Sequence, residues 1–129
     1  MVRHSYEKMK DRLQNFPIID KGDHFFSCRA IKTEVDGALG SFGAWLLKPY
    51  SDKQGFIGQN TTEISEVERI ADLAKQQNMQ LCVHAIGDRA NREVLDIMER
   101  ETSGRADHRW RIDPAQHLAV SAIPRFHKL

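Results

Sequence analysis

The sequence predicts an α/β fold built from parallel βαβ units. Three observations point there. Short β-prone runs alternate with amphipathic helical stretches, an order that favours parallel strands joined by right-handed crossovers. The 129 residues, 40% hydrophobic and 29% charged, suit one domain with a modest core. Neither an internal repeat nor a linker breaks the chain into parts, so residues 1–129 are read as a single domain.

Ser5 to Asn15 is polar, with Tyr6, Met9 and Leu13 spaced by three and four residues, which predicts a short amphipathic helix that Pro17 stops. Residues 25–35, FFSCRAIKTEV, form the first strand candidate, although their alternation is imperfect. Gly37, Gly40, Gly43, Pro49, Gly55 and Gly58 then punctuate a segment reaching about Thr62. Connections that long are uncommon unless functional or disordered. Trp45, Leu46, Leu47, Tyr50 and Phe56 argue for an ordered loop that packs on something.

Ser65-Glu66-Val67-Glu68 has the form of a capping box, and Val67, Ile70, Ala71 and Ala74 follow at helical spacing. A helix is therefore expected near 65–78. The apolar run 79–85, MQLCVHA, reads as a buried strand. Gly87-Asp88 turns the chain, with Asp88 the expected N-cap of a helix near 88–101 that Ser103-Gly104 ends. That helix presents Ala90, Val94, Ile97 and Met98 to the core. Residues 109–113 hold a third strand candidate, centred on Trp110 to Ile112, and Ser121 starts a last helical turn with Ala122, Ile123 and Phe126.

Charge and composition exclude several function classes. Nineteen Lys and Arg against 18 acidic residues leave a formal charge of +1, which gives no electrostatic case for nucleic acid or an anionic membrane surface. Signal-peptide and membrane-helix runs are missing from the sequence, and Cys28 and Cys82 lie in apolar segments, so a reduced, cytoplasmic protein is expected. P-loop, nucleophile-elbow, C-x-x-C, H-x-H and H-E-x-x-H patterns are absent as well.

Parallel α/β folds collect ligands at the C-terminal ends of their strands. Those ends here carry Lys32 and Asp36, then His84 and Asp88, then Asp113 with His117 nearby. Lys32 is either an edge residue reaching water or a paired or modified lysine. His84 reads equally as a core imidazole or a metal ligand, whereas Asp88 reads as a helix cap before a catalytic carboxylate. His4, His24, His108 and His127 sit in polar surroundings and read as surface residues.

Several of these runs match one family in order and spacing. Lys32-Thr33-Glu34-Val35-Asp36-Gly37-Ala38-Leu39-Gly40-Ser41 resembles the lysine strand and D-G-x-x-G-S loop of amidohydrolase family 3, the YtcJ-like metal-dependent hydrolases. Pro49-Tyr50-Ser51-Asp52 is similar to the P-Y-x-D of that loop, and His84-Ala85-Ile86-Gly87-Asp88-Arg89-Ala90 to its H-A-I-G-D-R-A run. Arg111-Ile112-Asp113-Pro114-Ala115-Gln116-His117 resembles R-I-E-H-A-Q-H, and Ile123-Pro124-Arg125-Phe126 resembles I-x-R-F, so the match spans 31–126.

The resemblance implies part of a (β/α)8 TIM-like barrel, since a whole one needs roughly 250 residues. It implies metal ligands at successive strand ends: Lys32 in the fourth-strand position, often carboxylated in such enzymes, and His84 in the fifth. It also implies hydrolysis of amide-like C–N bonds by metal-activated water, with zinc the foremost metal. Three departures count against an intact site: the first-strand H-x-H pair and the eighth-strand aspartate are missing, and Pro114 replaces the sixth-strand histidine. Asp113 stands for the neighbouring glutamate, and His117 lies on the wrong parity unless a bulge rescues it.

The chain is therefore expected to be a fragment or truncated copy of such an enzyme, inactive alone. It should hold no tightly bound metal, keep Lys32 unmodified, and fix His84 by hydrogen bonds with Asp88 or Asp113. The alternative is a non-catalytic binding or self-associating protein, its strand edges covered by a homo-oligomer interface above roughly 1,000 Å².

Overall fold

The computed structural model describes residues 1–103, 105 and 107–129. Gly104, part of the expected end of the second long helix, lies outside them. The architecture is mixed α/β. Helix α1 (Tyr6–Arg12) continues into a 3-10 turn over Leu13–Asn15, and Met9 and Leu13 are its fully buried side chains. Strand β1 (Ile18–Lys21) then pairs antiparallel with β2 (Phe26–Cys28).

Three parallel strands follow: β3 (Ala30–Glu34), β4 (Gln80–His84) and β5 (Arg111–Ile112), in the order β3-β4-β5. Helix α2 (Ile64–Gln76) links the first two, and α3 (Asp88–Thr102) links the second and third. A 3-10 turn over Val120–Ala122 leads into α4 (Ile123–Lys128). The parallel order agrees with the sequence expectation.

The first strand candidate, 25–35, needs correction, because it is two strands in two different sheets. Cys28 ends the hairpin strand, and Ala30 begins the parallel one. The hairpin turn has a sequence signature of its own: Gly22, Asp23 and His24 all take positive φ between two apolar pairs, Ile18-Ile19 and Phe25-Phe26.

Alternation along β3 and β4 sorts the sheet into two faces. Ile31, Leu81, Val83, Val35 and Ala85 are fully buried in one cluster with Met9, Val67, Ile70, Val94 and Ile97, so the three main helices share that face. Trp110 closes the far end, donating from Nε1 to the Met79 carbonyl at 3.1 Å. The opposite face carries Lys32, Glu34, Cys82 and His84, and the N-terminus lies beside it. Val2 extends the sheet past β3, its N–H donating to Ala30 O and its carbonyl accepting from Lys32 N, both at 2.8 Å.

Both expected helix caps are replaced by other contacts. Helix α2 starts at Ile64 with Glu63 at its N-cap, so Ser65 lies inside the first turn and makes no side-chain cap. Glu66 instead accepts from the Tyr6 backbone N–H at 3.3 Å, tying α1 to α2. At α3 the N-cap is Gly87, and Asp88 is the first helical residue. The free N–H groups of Arg89 and Ala90 are satisfied by the Trp45 carbonyl at 3.2 and 3.3 Å.

The long loop is ordered, as its aromatic residues predicted. Ala44, Leu46, Tyr50 and Ile86 form a second cluster, with Leu39, Phe42 and Phe56 packed around it. Tyr50 donates its hydroxyl to Ala44 O at 2.9 Å. Its ring meets Phe42 edge-on at 5.1 Å, and Lys53 Nζ lies 4.1 Å from the Phe56 centroid.

Candidate active site

Register decides which strand-end groups can meet. Lys32 stands opposite Cys82, and Cys82 opposite Arg111, while His84 stands opposite Glu34. Lys32 and His84 therefore share one face of adjacent strands, offset by two residues along the sheet. Two residues are about 6.6 Å of strand, against about 4.8 Å between strands. The long lysine side chain can bridge that offset.

Lys32 is half-buried and donates from Nζ to the Asp113 carbonyl at 3.4 Å, which reaches across β4 to the chain just after β5. Asp113 is fixed at that position: its N–H donates to Val83 O at 2.8 Å, and its carboxylate pairs with Arg111 at 3.0 Å. Cys82 is fully buried between these charges. Burial is the largest influence on its thiol and pushes the pKa up; Arg111 pulls the other way.

His84 keeps company other than that expected. Its Nε2 lies 3.9 Å from Asp36 Oδ1, too long for a hydrogen bond, and Asp88 and Asp113 are engaged elsewhere. The imidazole is about a quarter exposed (27%), whereas the Asp36 side chain is wholly buried (0%). Asp36 accepts three backbone hydrogen bonds, from Trp45, Ile86 and Gly87, each at 2.8 Å. Sequence pattern places Asp36 at a strand end but does not disclose this role. The available signal is an aspartate directly after the buried Val35 and before a glycine.

Asp88 accepts from the Leu47 N–H at 2.8 Å, and His117 Nε2 lies 4.0 Å from its other carboxylate oxygen. His117 is exposed, and its own N–H donates to Ile86 O at 3.0 Å. Asn91 has no part in the sequence expectations. Fully buried on α3, it donates from Nδ2 to Ala85 O at 3.1 Å and Gly87 O at 2.9 Å. Of the histidines read as surface residues, His4, His24 and His127 are exposed, but His108 is half-buried. Its ring accepts the Trp110 N–H at 2.9 Å, which a polar local sequence does not disclose.

Among the described residues, no three His, Cys, Asp or Glu side chains come together closely enough to hold a metal ion. The site amounts to one lysine and one histidine on adjacent strand ends, with a buried carboxylate holding the turn beyond the histidine.

The whole chain, residues 1–129, matches a protein family described as amidohydrolase. It is 35% identical over 101 residues to the Arabidopsis thaliana protein LONG AFTER FAR-RED 3, covering 77% of this chain and 17% of that one. It is 36% identical over 98 residues to a Bacillus subtilis (strain 168) protein named "Putative amidohydrolase YtcJ", covering 74% and 18%. A crystal structure of an uncharacterized metal-dependent hydrolase from Pyrococcus horikoshii OT3 superposes with a TM-score of 0.80 at 30% identity, covering 98% of this chain and 25% of that one. The chain thus spans under a fifth of these curated relatives and a quarter of the solved structure.

Proposed function

The chain belongs to the amidohydrolase family, and from that premise we propose that it is a fragment or truncated copy of a metal-dependent hydrolase of amide-like C–N bonds, inactive alone. The parent architecture in this reading is a TIM-like barrel, of which β3, β4 and β5 would be three consecutive strands. One observation carries the reading: Lys32 within β3 and His84 at the end of β4 share a face of adjacent parallel strands; Pro114 stands where the resemblance puts the next ligand, and its side chain has no donor atom. In a complete site, a divalent metal would lower the pKa of bound water and polarise the scissile carbonyl.

The residues present do not fit a resident metal by themselves. Catalytic zinc normally keeps three protein ligands, and an ammonium offers no lone pair. Lys32 Nζ is directed to the Asp113 carbonyl instead, at 3.4 Å. Without the rest of the barrel, this chain supplies two ligand positions and the framework around them.

Elemental analysis of protein purified without chelator tests the reading, run beside an assay of amide hydrolysis and the Pro114→His variant. Zinc far below one per chain and no turnover are expected in the unaltered protein, with metal uptake rising in the variant. Stoichiometric zinc with turnover in the unaltered chain would overturn it.

A second reading, a non-catalytic self-associating protein, is favoured by the hairpin. Phe25 is 92% exposed, and Ile19 and Phe26 about half exposed, on strands whose outer edges are free of partners among the described residues. Mass in solution separates the two, a dimer or larger ring supporting self-association. As for a membrane, no helix among the described residues is long and apolar enough to cross one.

A further inference from the structure

The Asp36 carboxylate is wholly buried and accepts three backbone hydrogen bonds. It lies directly after β3, and its two oxygens serve two separate stretches of chain. Oδ1 accepts from Ile86 and Oδ2 from Gly87, both in the turn that carries His84 into α3. Oδ2 also accepts from Trp45 in the long loop. The preceding residue continues the pattern, since the Val35 N–H donates to the His84 carbonyl at 2.9 Å. The same turn is gripped from below by Asn91 through the carbonyls of Ala85 and Gly87.

We infer that Asp36 is a positioning residue for His84: it fixes the backbone from which that imidazole projects, and it places a buried charge 3.9 Å from the ring. The inference rests on reading His84 as a group directed at the site. The backbone on either side of His84 is then held by hydrogen bonds, and the carboxylate stands beyond hydrogen-bond reach of Nε2, where it acts on the ring as a neighbouring charge. An ion pair with exposed partners would be worth little. A carboxylate buried on three backbone N–H groups differs, because loss of its charge strands donors that water cannot reach.

Substitution by asparagine tests this without changing shape. An amide has one acceptor oxygen, so it can serve the Ile86 side or the Trp45 and Gly87 side, never both. At least one of these three amides should exchange with deuterium about ten- to a hundredfold faster in Asp36→Asn, the loss expected for a hydrogen bond to a charged acceptor. The β3–β4 ladder amides should be unchanged. Three-bond couplings of the His84 side chain should report one rotamer in the unaltered protein and averaging in the variant.

Faster exchange with an unaltered His84 rotamer would reduce Asp36 to a structural tie and overturn the positioning role. Unaltered exchange would overturn it as well. Should Asp36→Asn not fold, the unaltered protein carries the test: slow exchange at Trp45, Ile86 and Gly87 with a single His84 rotamer is expected, and an averaged rotamer there would overturn the positioning role. Metal uptake by Pro114→His is scored separately, so failure of the hydrolase reading does not affect these signals.

Discussion

Replacing Gly87 by alanine should cost far more than its backbone angles suggest. Gly87 has φ −71° and ψ 152°, which any residue adopts, so conformation alone predicts a gain of about 0.4–1 kcal/mol from a stiffer unfolded chain. Space predicts the opposite. A Cβ at this position would lie 2.0 Å from the Trp45 carbonyl oxygen and 2.5 Å from its carbon, both backbone atoms that cannot rotate aside.

The loop must therefore move, and the bonds at stake can be counted. Arg89 N and Ala90 N lose the Trp45 carbonyl, and Trp45 N and Leu47 N can lose Asp36 and Asp88. Two neutral bonds at about 1 kcal/mol each give about 2 kcal/mol if only the carbonyl swings away. Detachment of the whole segment adds two bonds to carboxylates, for about 5–8 kcal/mol in total. Urea unfolding measures the difference. Gly40→Ala is the control, since a Cβ there would have nothing within 4 Å, and it should stay within about 0.5 kcal/mol of the unaltered protein. A Gly87→Ala protein as stable as the control would refute the reasoning.

Leu81, fully buried at the centre of the sheet, should cost about 3 kcal/mol on truncation to alanine, lowering the thermal midpoint by about 10 °C. Cys82 should resist iodoacetamide at pH 8 until the protein unfolds, because burial both hides its thiol and raises its pKa; alkylation of the folded chain at the rate of a free thiol would contradict this. Acid should weaken the fold through Glu99 and Glu101. Each carboxyl is held below the ordinary value of 4.5, Glu99 first by its hydrogen bond from Arg125 and Glu101 first by that from Arg100. Groups that bind protons more weakly when folded contribute stability above the unfolded value and lose it as pH falls through the folded one. The thermal midpoint should therefore drop below about pH 4.5, and Arg125→Leu should make that drop shallower, by a modest amount because these side chains are partly exposed.

Periodicity makes most of the fold legible. The spacing of Val67, Ile70, Ala71 and Ala74 and the short apolar run ending at His84 are properties of local sequence, and both elements form where expected. The caps are not legible, because their partners come from far along the chain. Whether Asp88 caps a helix depends on what satisfies Arg89 and Ala90, and that is a carbonyl more than 40 residues away. The hairpin is hidden for a different reason: Phe25 and Phe26 read as the start of the 25–35 strand, but they stand exposed beyond a turn of positive φ. At the site, the strand-end positions of Lys32 and His84 are readable from pattern and family together. The roles of Asp36 and Asn91 are not, since their work is to bond backbone groups, and backbone groups leave no trace in a sequence.

The two faces of the sheet set different conditions on what this length of chain can do. The helix-covered face is satisfied within the chain, with Ile31, Leu81 and Val83 enclosed by α1, α2 and α3. The other face holds Lys32, Glu34, His84 and Arg111, side chains that neighbouring strands would enclose on the barrel reading. On that reading its chemistry depends on what those strands bring, and Pro114 offers no side-chain donor just after β5. Stability and activity are thus separable here. A substitution such as Leu81→Ala should weaken the first without touching the donor set, since Leu81 is fully buried on the helix-covered face.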